Sequence, residues 1–243
     1  SRKSDRVATV LLDIYSKWIS GISASTNSAD NTQKAIRIFL GPQVHPDHIY
    51  SDNSKEIEKA IKNLEYEHIH DTSTLNRPAT NGQIERVVRT IKEGITSLLL
   101  QSGFTHQWWP DAMRCFCFLH NTLDRLADGD TPYERRFKTT LKDRFKGFAF
   151  YPFGCEIRYK PSSPKVLNQM APVGSKTLPE IFIGYHEHKG GHFSGDLMIA
   201  DWEDIWAADR VSEIPIRRLP YQEVYMTKQA GKQCFPIAEG TLQ

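Results

Sequence analysis

The sequence predicts an α/β layer fold followed by helices and a small C-terminal β domain, on three observations. Short apolar or β-prone runs alternate with amphipathic stretches of helical period up to about residue 70. Two long stretches of helical spacing come next. Beyond Lys146 the period changes again, to short β-like segments punctuated by Gly and Pro. With 243 residues, 39% hydrophobic and 25% charged, the chain can bury one good core, or one core and a smaller appended one, and shows no sign of global disorder.

Val7-Ala8-Thr9-Val10-Leu11-Leu12 is a nearly continuous apolar run, and residues 18–23 alternate after a break at Tyr15-Ser16-Lys17. Together they predict two strands joined at a tight bend, one of them buried on both faces. Residues 29–40 form an amphipathic helix with Ala35, Ile36, Phe39 and Leu40 inward and Gly41-Pro42 as its stop. A strand at 48–52, a helix at 54–64 and a strand at 66–70 complete a β-β-α-β-α-β order. That alternation alone also allows flavodoxin-like sheets.

A turn-rich connection at 71–80, long for its class, leads to a helix starting near Gly82, with Asn81 as its cap and Gly82 relieving crowding at the entry. Glu85 falls in the first turn, with Arg89 and Lys92 close to its side of the helix. Residues 104–124 form a second long helix with Trp108, Trp109, Ala112, Met113, Phe116, Leu119 and Leu123 on one broad side. A stripe at that spacing is core rather than a base-stacking surface. Residues 126–130 are a turn, and Pro132 opens a short helix ending near Phe137. Segments 148–150, 155–159, 178–185 and 193–202 are β-like and predict a small barrel or meander. The proline-spaced polar tail past Val211 is expected to be partly disordered. The divisions are therefore 1–103, 104–146, 147–213 and 214–243.

A net charge of +2 names no partner, but its distribution is uneven. From 132 to 165 there are nine Lys or Arg against three acids, and from 187 to 213 seven acids against two bases. The first stretch is either a nucleic-acid surface or a solvated face. The four cysteines, Cys115, Cys117, Cys155 and Cys234, lack metal or disulfide spacing and fit a reducing intracellular compartment. His186, His188 and His192 flank Gly190-Gly191 as a polar hairpin loop rather than a zinc site. No apolar run reaches membrane-spanning length, Ser1 opens no signal peptide, and the missing initiator Met points to a processed product or a fragment.

The candidate chemistry is a pair of carboxylates. Asp52 sits where a strand hands over to a helix, the place where open α/β sheets present chemistry. Glu85 follows after 32 intervening residues, beside the partly positive end of its helix. The pair has the form of a two-metal phosphoryl-transfer site, with hard oxygen ligands for Mg²⁺. By themselves two carboxylates prove little.

The words around them are more specific. Ser51-Asp52-Asn53 and Asn81-Gly82-x-x-Glu85-Arg86, with Asp13-Ile14-Tyr15-Ser16-Lys17-Trp18 upstream, resemble the catalytic core of retroviral and retrotransposon integrases. Trp108-Trp109-Pro110-Asp111-Ala112, Asn121-Thr122-Leu123, Thr131-Pro132-Tyr133-Glu134, Phe153-Gly154-Cys155 and Phe182-Ile183-Gly184-Tyr185 come in the order found in copia-type Pol polyproteins. This resemblance covers about residues 7–211.

It implies a ribonuclease H-like layer, incomplete for want of its first strand, with Mg²⁺ or Mn²⁺ held by Asp52 and Glu85. It also implies 3′-end processing and strand transfer on DNA, both element ends and target duplex, by a homo-oligomer at work in the nucleus. The DNA contacts implied are Arg77 in the loop over the site, Arg89 and Lys92 on the helix, and Arg158, Lys160 and Lys165 in the β domain. In such integrases the first catalytic Asp lies on the strand before the one that ends in the Asp13 word. That ligand is therefore expected upstream of Ser1, leaving this chain inert, while a competing assignment makes Asp13 the missing ligand. For a strand-end Asp the favoured role is structural hydrogen bonding. Other classes remain open: a non-catalytic DNA- or chromatin-binding module, and a metal-dependent nuclease of the same layer fold.

Overall fold

The computed structural model describes residues 5–42, 44–72, 78–161, 176–229 and 231–240. Strands β1 (Val7–Leu12) and β2 (Ile19–Ala24) pair antiparallel, Val7 opposite Ala24 and Leu12 opposite Ile19. Lys17, at φ 62°, closes the bend between them, and the Asp13 N–H donates to the Trp18 carbonyl at 2.9 Å. Alternation sends the β1 side chains both ways. Leu11 packs on the main apolar cluster, while Val10 and Leu12 pack on a second one with Ile19, Ile91, Met113 and Cys117. Both faces are covered, as the apolar run predicts, yet no β1 residue is fully buried. Among the described residues its only strand neighbour is β2.

Helix α1 (Ala29–Leu40) starts at Ser28, whose side chain accepts the Asn31 N–H, and buries Ala35, Ile36, Phe39 and Leu40 as expected. Its stop, Gly41, has φ 72°, and a Cβ there would lie 2.9 Å from the Gly190 backbone, so only glycine fits. β3 (His48–Ser51) pairs in parallel with β4 (Ile69–Thr72) through α2 (Lys55–Lys62). β4 starts three residues later than the β-prone run, and just before it the His68 ring turns back to the Tyr66 carbonyl at 2.8 Å. Among the described residues β1–β2 and β3–β4 are separate two-stranded sheets.

Helix α3 (Pro78–Ser102) begins four residues before Gly82. Proline suits the first position, where no N–H is needed. Asn81 therefore lies within the helix rather than at its cap, and Glu85 lies in its second turn rather than its first. Gly82 relieves no crowding, since a Cβ there would meet nothing within 4 Å.

The next expected helix is split into a 3₁₀ turn, His106–Trp108, and α4 (Trp109–Leu123). α4 is the centre of the molecule, packing on α3, on β2 and on the C-terminal sheet. Trp108 is buried, as a core stripe requires, whereas Leu123 in the last turn is 47% exposed. Buried Asn121 takes the place of a strand partner for Ile19, accepting its N–H at 2.9 Å and donating to its carbonyl at 2.8 Å. α5 (Pro132–Phe137) carries a capping box between Thr131 and Glu134, and an unanticipated short α6 (Leu141–Arg144) is capped by Thr140.

The C-terminal sheet is an antiparallel meander with order β8-β7-β6-β5-β9. It consists of β5 (Glu156–Tyr159), β6 (Leu178–Glu187), β7 (Phe193–Ala200), β8 (Arg217–Pro220) and β9 (Val224–Met226). Residues 148–150 form no strand; Phe148 instead packs edge-on against Phe150, Phe193 and Tyr221. The end of the last predicted strand is helical, α7 (Trp202–Ala207), capped by Asp201.

Past Val211 the described residues supply β8 and β9, then the hairpin β10 (Lys228–Gln229) and β11 (Lys232–Gln233), then α8 (Pro236–Glu239). Pairing to β7 and β5 satisfies backbone groups that a polar sequence leaves unassigned, and buries Val224. One apolar cluster runs from Trp18 and Ile36 through Phe118 to Phe182, Ile199 and Val224, across residue 147.

Candidate functional site

Asp52 directly follows β3 and is exposed. Glu85 is exposed on α3. Among the described residues neither carboxylate forms an ion pair or a side-chain hydrogen bond, and no such bond joins the two. Also among the described residues, no group of three or more His, Cys, Asp or Glu is placed to hold a metal. Around Asp52, Ser51 Oγ donates to the Asp52 carbonyl and lies 2.9 Å from His70 Nε2, and His48 pairs with Asp71 at 2.9 Å. Two exposed carboxylates without cation partners are chemically suited to a hard divalent ion, which takes oxygen ligands and fills its remaining positions with water.

Arg89 and Lys92 are exposed on α3, and Lys160 is exposed after β5. Arg158 faces buried Glu156 at 3.7 Å and donates to the Thr177 carbonyl. Arg77 and Lys165 lie outside the described residues.

Asp13 is fully engaged in its own turn. Oδ1 accepts the N–H groups of Tyr15 at 3.0 Å and Ser16 at 3.4 Å, and Oδ2 accepts the Ser16 hydroxyl at 2.7 Å. Arg136 closes on Oδ2 at 3.4 Å, donates to the Phe39 and Gly190 carbonyls, and lies over the Trp18 and Phe39 rings. Burial lowers the Arg136 pKa, and neighbouring Asp13 and Glu187 oppose that shift. The basic stretch at 132–165 is thus partly spent on partners within the chain: Arg135 pairs with exposed Asp128, Arg136 with Asp13, and Arg158 with buried Glu156.

A cleft of about 830 Å³, not anticipated from the sequence, opens between β2, α1 and α4 on one side and the β6–β7 hairpin on the other. Lys34, Arg114, Lys189 and Arg218 line it, with His186 and Glu187. Burial pushes the Glu187 carboxyl up to about 8, against the pull of Arg114 and Arg136. His186 is held below its ordinary value, first by burial and then by Arg218, His188 and Arg114. These residues come from four distant segments and follow no spacing rule. Only the His186–His192 hairpin drew notice in the sequence, and the structure places it as the loop between β6 and β7.

All four cysteines are buried, and burial pushes the Cys115, Cys117 and Cys155 thiols upward, Cys117 to about 12, which suits packing rather than nucleophilic work. No described helix is long and apolar enough to cross a membrane.

No protein-family model matches the chain. Two curated relatives are similar to it. The retrovirus-related Pol polyprotein from transposon TNT 1-94 of Nicotiana tabacum is 27% identical over 123 residues, 51% of this chain and 9% of the relative. The Gag-Pol polyprotein of woolly monkey sarcoma virus is 29% identical over 137 residues, 55% of this chain and 8% of the relative. The chain thus matches under a tenth of the length of either relative. Among solved structures, the HTLV-2 integrase catalytic core domain in complex with magnesium overlays with a TM-score of 0.40 at 20% identity, covering 53% of this chain and 82% of that one. The simian T-cell lymphotropic virus intasome in complex with PP2A regulatory subunit B56 gamma overlays with a TM-score of 0.45 at 15% identity, covering 91% of this chain and 72% of that one.

Proposed function

We propose that this chain is part of the integrase region of a retrotransposon Pol polyprotein of copia type, acting on DNA ends. The observation that carries the reading is a coincidence of two independent facts. The chain is similar to two Pol polyproteins over about half its length, and Asp52 and Glu85, in its integrase-like words, are exposed and without a cation partner among the described residues. The β-β-α-β-α-β order followed by a long helix supports a ribonuclease H-like layer.

In this reading Asp52 and Glu85 hold Mg²⁺ or Mn²⁺. Such an ion, when bound, lowers the pKa of a water or hydroxyl and stabilises the leaving oxygen of a phosphodiester. The chain's own contribution is positioning. Arg89 and Lys92, on the exposed side of the helix that carries Glu85, take backbone phosphates of a DNA end, and Arg77, Lys160 and Lys165 extend that contact, Arg158 being turned to Glu156. Assembly as a homo-oligomer and work in the nucleus belong to the same proposal. The test uses Mn²⁺ binding followed by electron paramagnetic resonance, beside cleavage of duplex ends. Asp52→Asn and Glu85→Gln each weaken Mn²⁺ by about tenfold or more, while Asp13→Asn leaves it unchanged. Mn²⁺ affinity indifferent to Asp52 and Glu85 sinks the assignment.

A second reading, a DNA-binding module without cleavage, is favoured by one observation: among the described residues no group of three or more His, Cys, Asp or Glu is placed to hold a metal. Salt-dependent duplex binding with no Mg²⁺- or Mn²⁺-dependent cutting selects it.

A further inference from the structure

The cleft between the α/β layer and the C-terminal sheet uses none of the residues assigned to α3, and its charges point to a ligand of their own. Lys34 comes from α1, Arg114 from α4, Lys189 from the β6–β7 hairpin and Arg218 from β8, so four elements each send a cation to one space. Lys34, Lys189 and Arg218 form no ion pair with any described residue, and Arg114 shares its charge with Asp111 at 2.5 Å. All four are exposed at the wall of one concave space, and like charges there repel one another and create a field that an anion relieves. Asp5, Glu187 and His188 line the same space; burial pushes the Glu187 carboxyl up to about 8, and His186 is held below its ordinary value first by burial and then by Arg218, His188 and Arg114.

We propose that this cleft binds the phosphate groups of a nucleoside phosphate, either as a free nucleotide or as part of a single-stranded nucleic acid. A guanidinium fork on Arg218 or Arg114 matches two phosphate oxygens, and ammonium groups on Lys34 and Lys189 add point charges. The volume, about 830 Å³, falls in the range of small-molecule sites, roughly 300–1,000 Å³, and takes a nucleotide or a short single strand but no duplex. The inference does not rest on the integrase reading.

The experiment is fluorescence anisotropy on the full chain, with a labelled single-stranded thymidine oligonucleotide as probe and pTpT and thymidine triphosphate as competitors. The variant Lys34→Gln/Arg218→Gln is expected to bind about tenfold more weakly, and its log–log salt slope to fall by roughly one to one and a half. Lys142→Gln/Lys146→Gln, which removes the same charge from exposed positions outside the cleft, stays within about twofold of the parent. An oligonucleotide that outcompetes pTpT selects the strand as the source. Equal competition by triphosphate selects the nucleotide. The proposal is overturned if the parent chain binds none of the three, if the cleft variant is folded by circular dichroism yet keeps parental affinity and slope, or if the two double variants weaken binding equally. Loss of single-strand binding on Arg89→Gln/Lys92→Gln alone overturns the cleft and leaves the integrase reading standing. The opposite pattern, cleft variants failing while Mn²⁺ ignores Asp52 and Glu85, keeps the cleft and removes that reading.

Discussion

Asp13 shows how a carboxylate in a family-like word can be structural. Both of its oxygens are taken by the 13–16 turn and by Arg136, which leaves no lone pair well placed for a metal. Asp13→Ala should therefore destabilise the chain by about 1–3 kcal/mol in urea unfolding, with Mn²⁺ affinity unchanged. Glu187 behaves differently. Its carboxyl titrates near 8 in the fold against an ordinary 4.5, so between those values the folded chain holds a proton that the unfolded chain has released. Stability from this group is greatest below 4.5 and is lost as pH rises towards 8. Arg114 from α4 and Arg136 from α5 favour the ionised form, but burial outweighs them. Glu187→Gln is then more stable than the parent at alkaline pH by on the order of 2 kcal/mol, less than the full shift because the side chain is only half-buried, and the gap closes in acid. Thermal melts across that range check the sign. A gap that widens in acid contradicts it. At this scale the sequence announced Asp52, Glu85 and the Asp13 word by their neighbours, whereas Glu187 looked like one acid in an acidic run, because burial leaves no mark on composition.

Elements with strong local signals follow the sequence closely. The spans of β1, α1 and α5 coincide with the apolar run, the amphipathic period and the first-position proline that predict them. Shifts occur where a local signal competed with another. The helix carrying Glu85 starts at Pro78 because proline is a good first residue, even within a run that otherwise reads as a turn. β4 slips towards Thr72 because the parallel pairing with β3 sets its register. Central to all of this is α4, whose Asn121 satisfies the Ile19 N–H and carbonyl in a dry setting. Asn121→Ala strands both groups and should cost about 3 kcal/mol, visible as a lower urea midpoint with an unchanged slope. Asn121→Asp keeps the acceptor but not the donor and should lose stability as well.

For the whole molecule, the decisive fact is that one apolar cluster joins the α/β layer to the C-terminal sheet through α4, Phe118 stacking on Tyr185 at 4.0 Å between ring centroids. Phe118→Ala opens a cavity in that junction and should cost about 3–5 kcal/mol. The full chain is expected to melt in a single cooperative transition, with tryptophan fluorescence and far-ultraviolet circular dichroism coinciding. Two separated transitions would mean that the junction is weak. The amino-acid order by itself determined the class of fold, the alternation of the first seventy residues, the core role of Trp108 and the pair of acids worth testing, because periodicity and turn chemistry act over neighbouring residues. Only the tertiary structure decided that the polar tail completes a sheet, that Arg136 and Arg158 serve the interior, and that Lys34, Arg114, Lys189 and Arg218 meet in one cleft. Each of those depends on partners brought from far along the chain, and pairing at a distance leaves no pattern in the sequence of either partner.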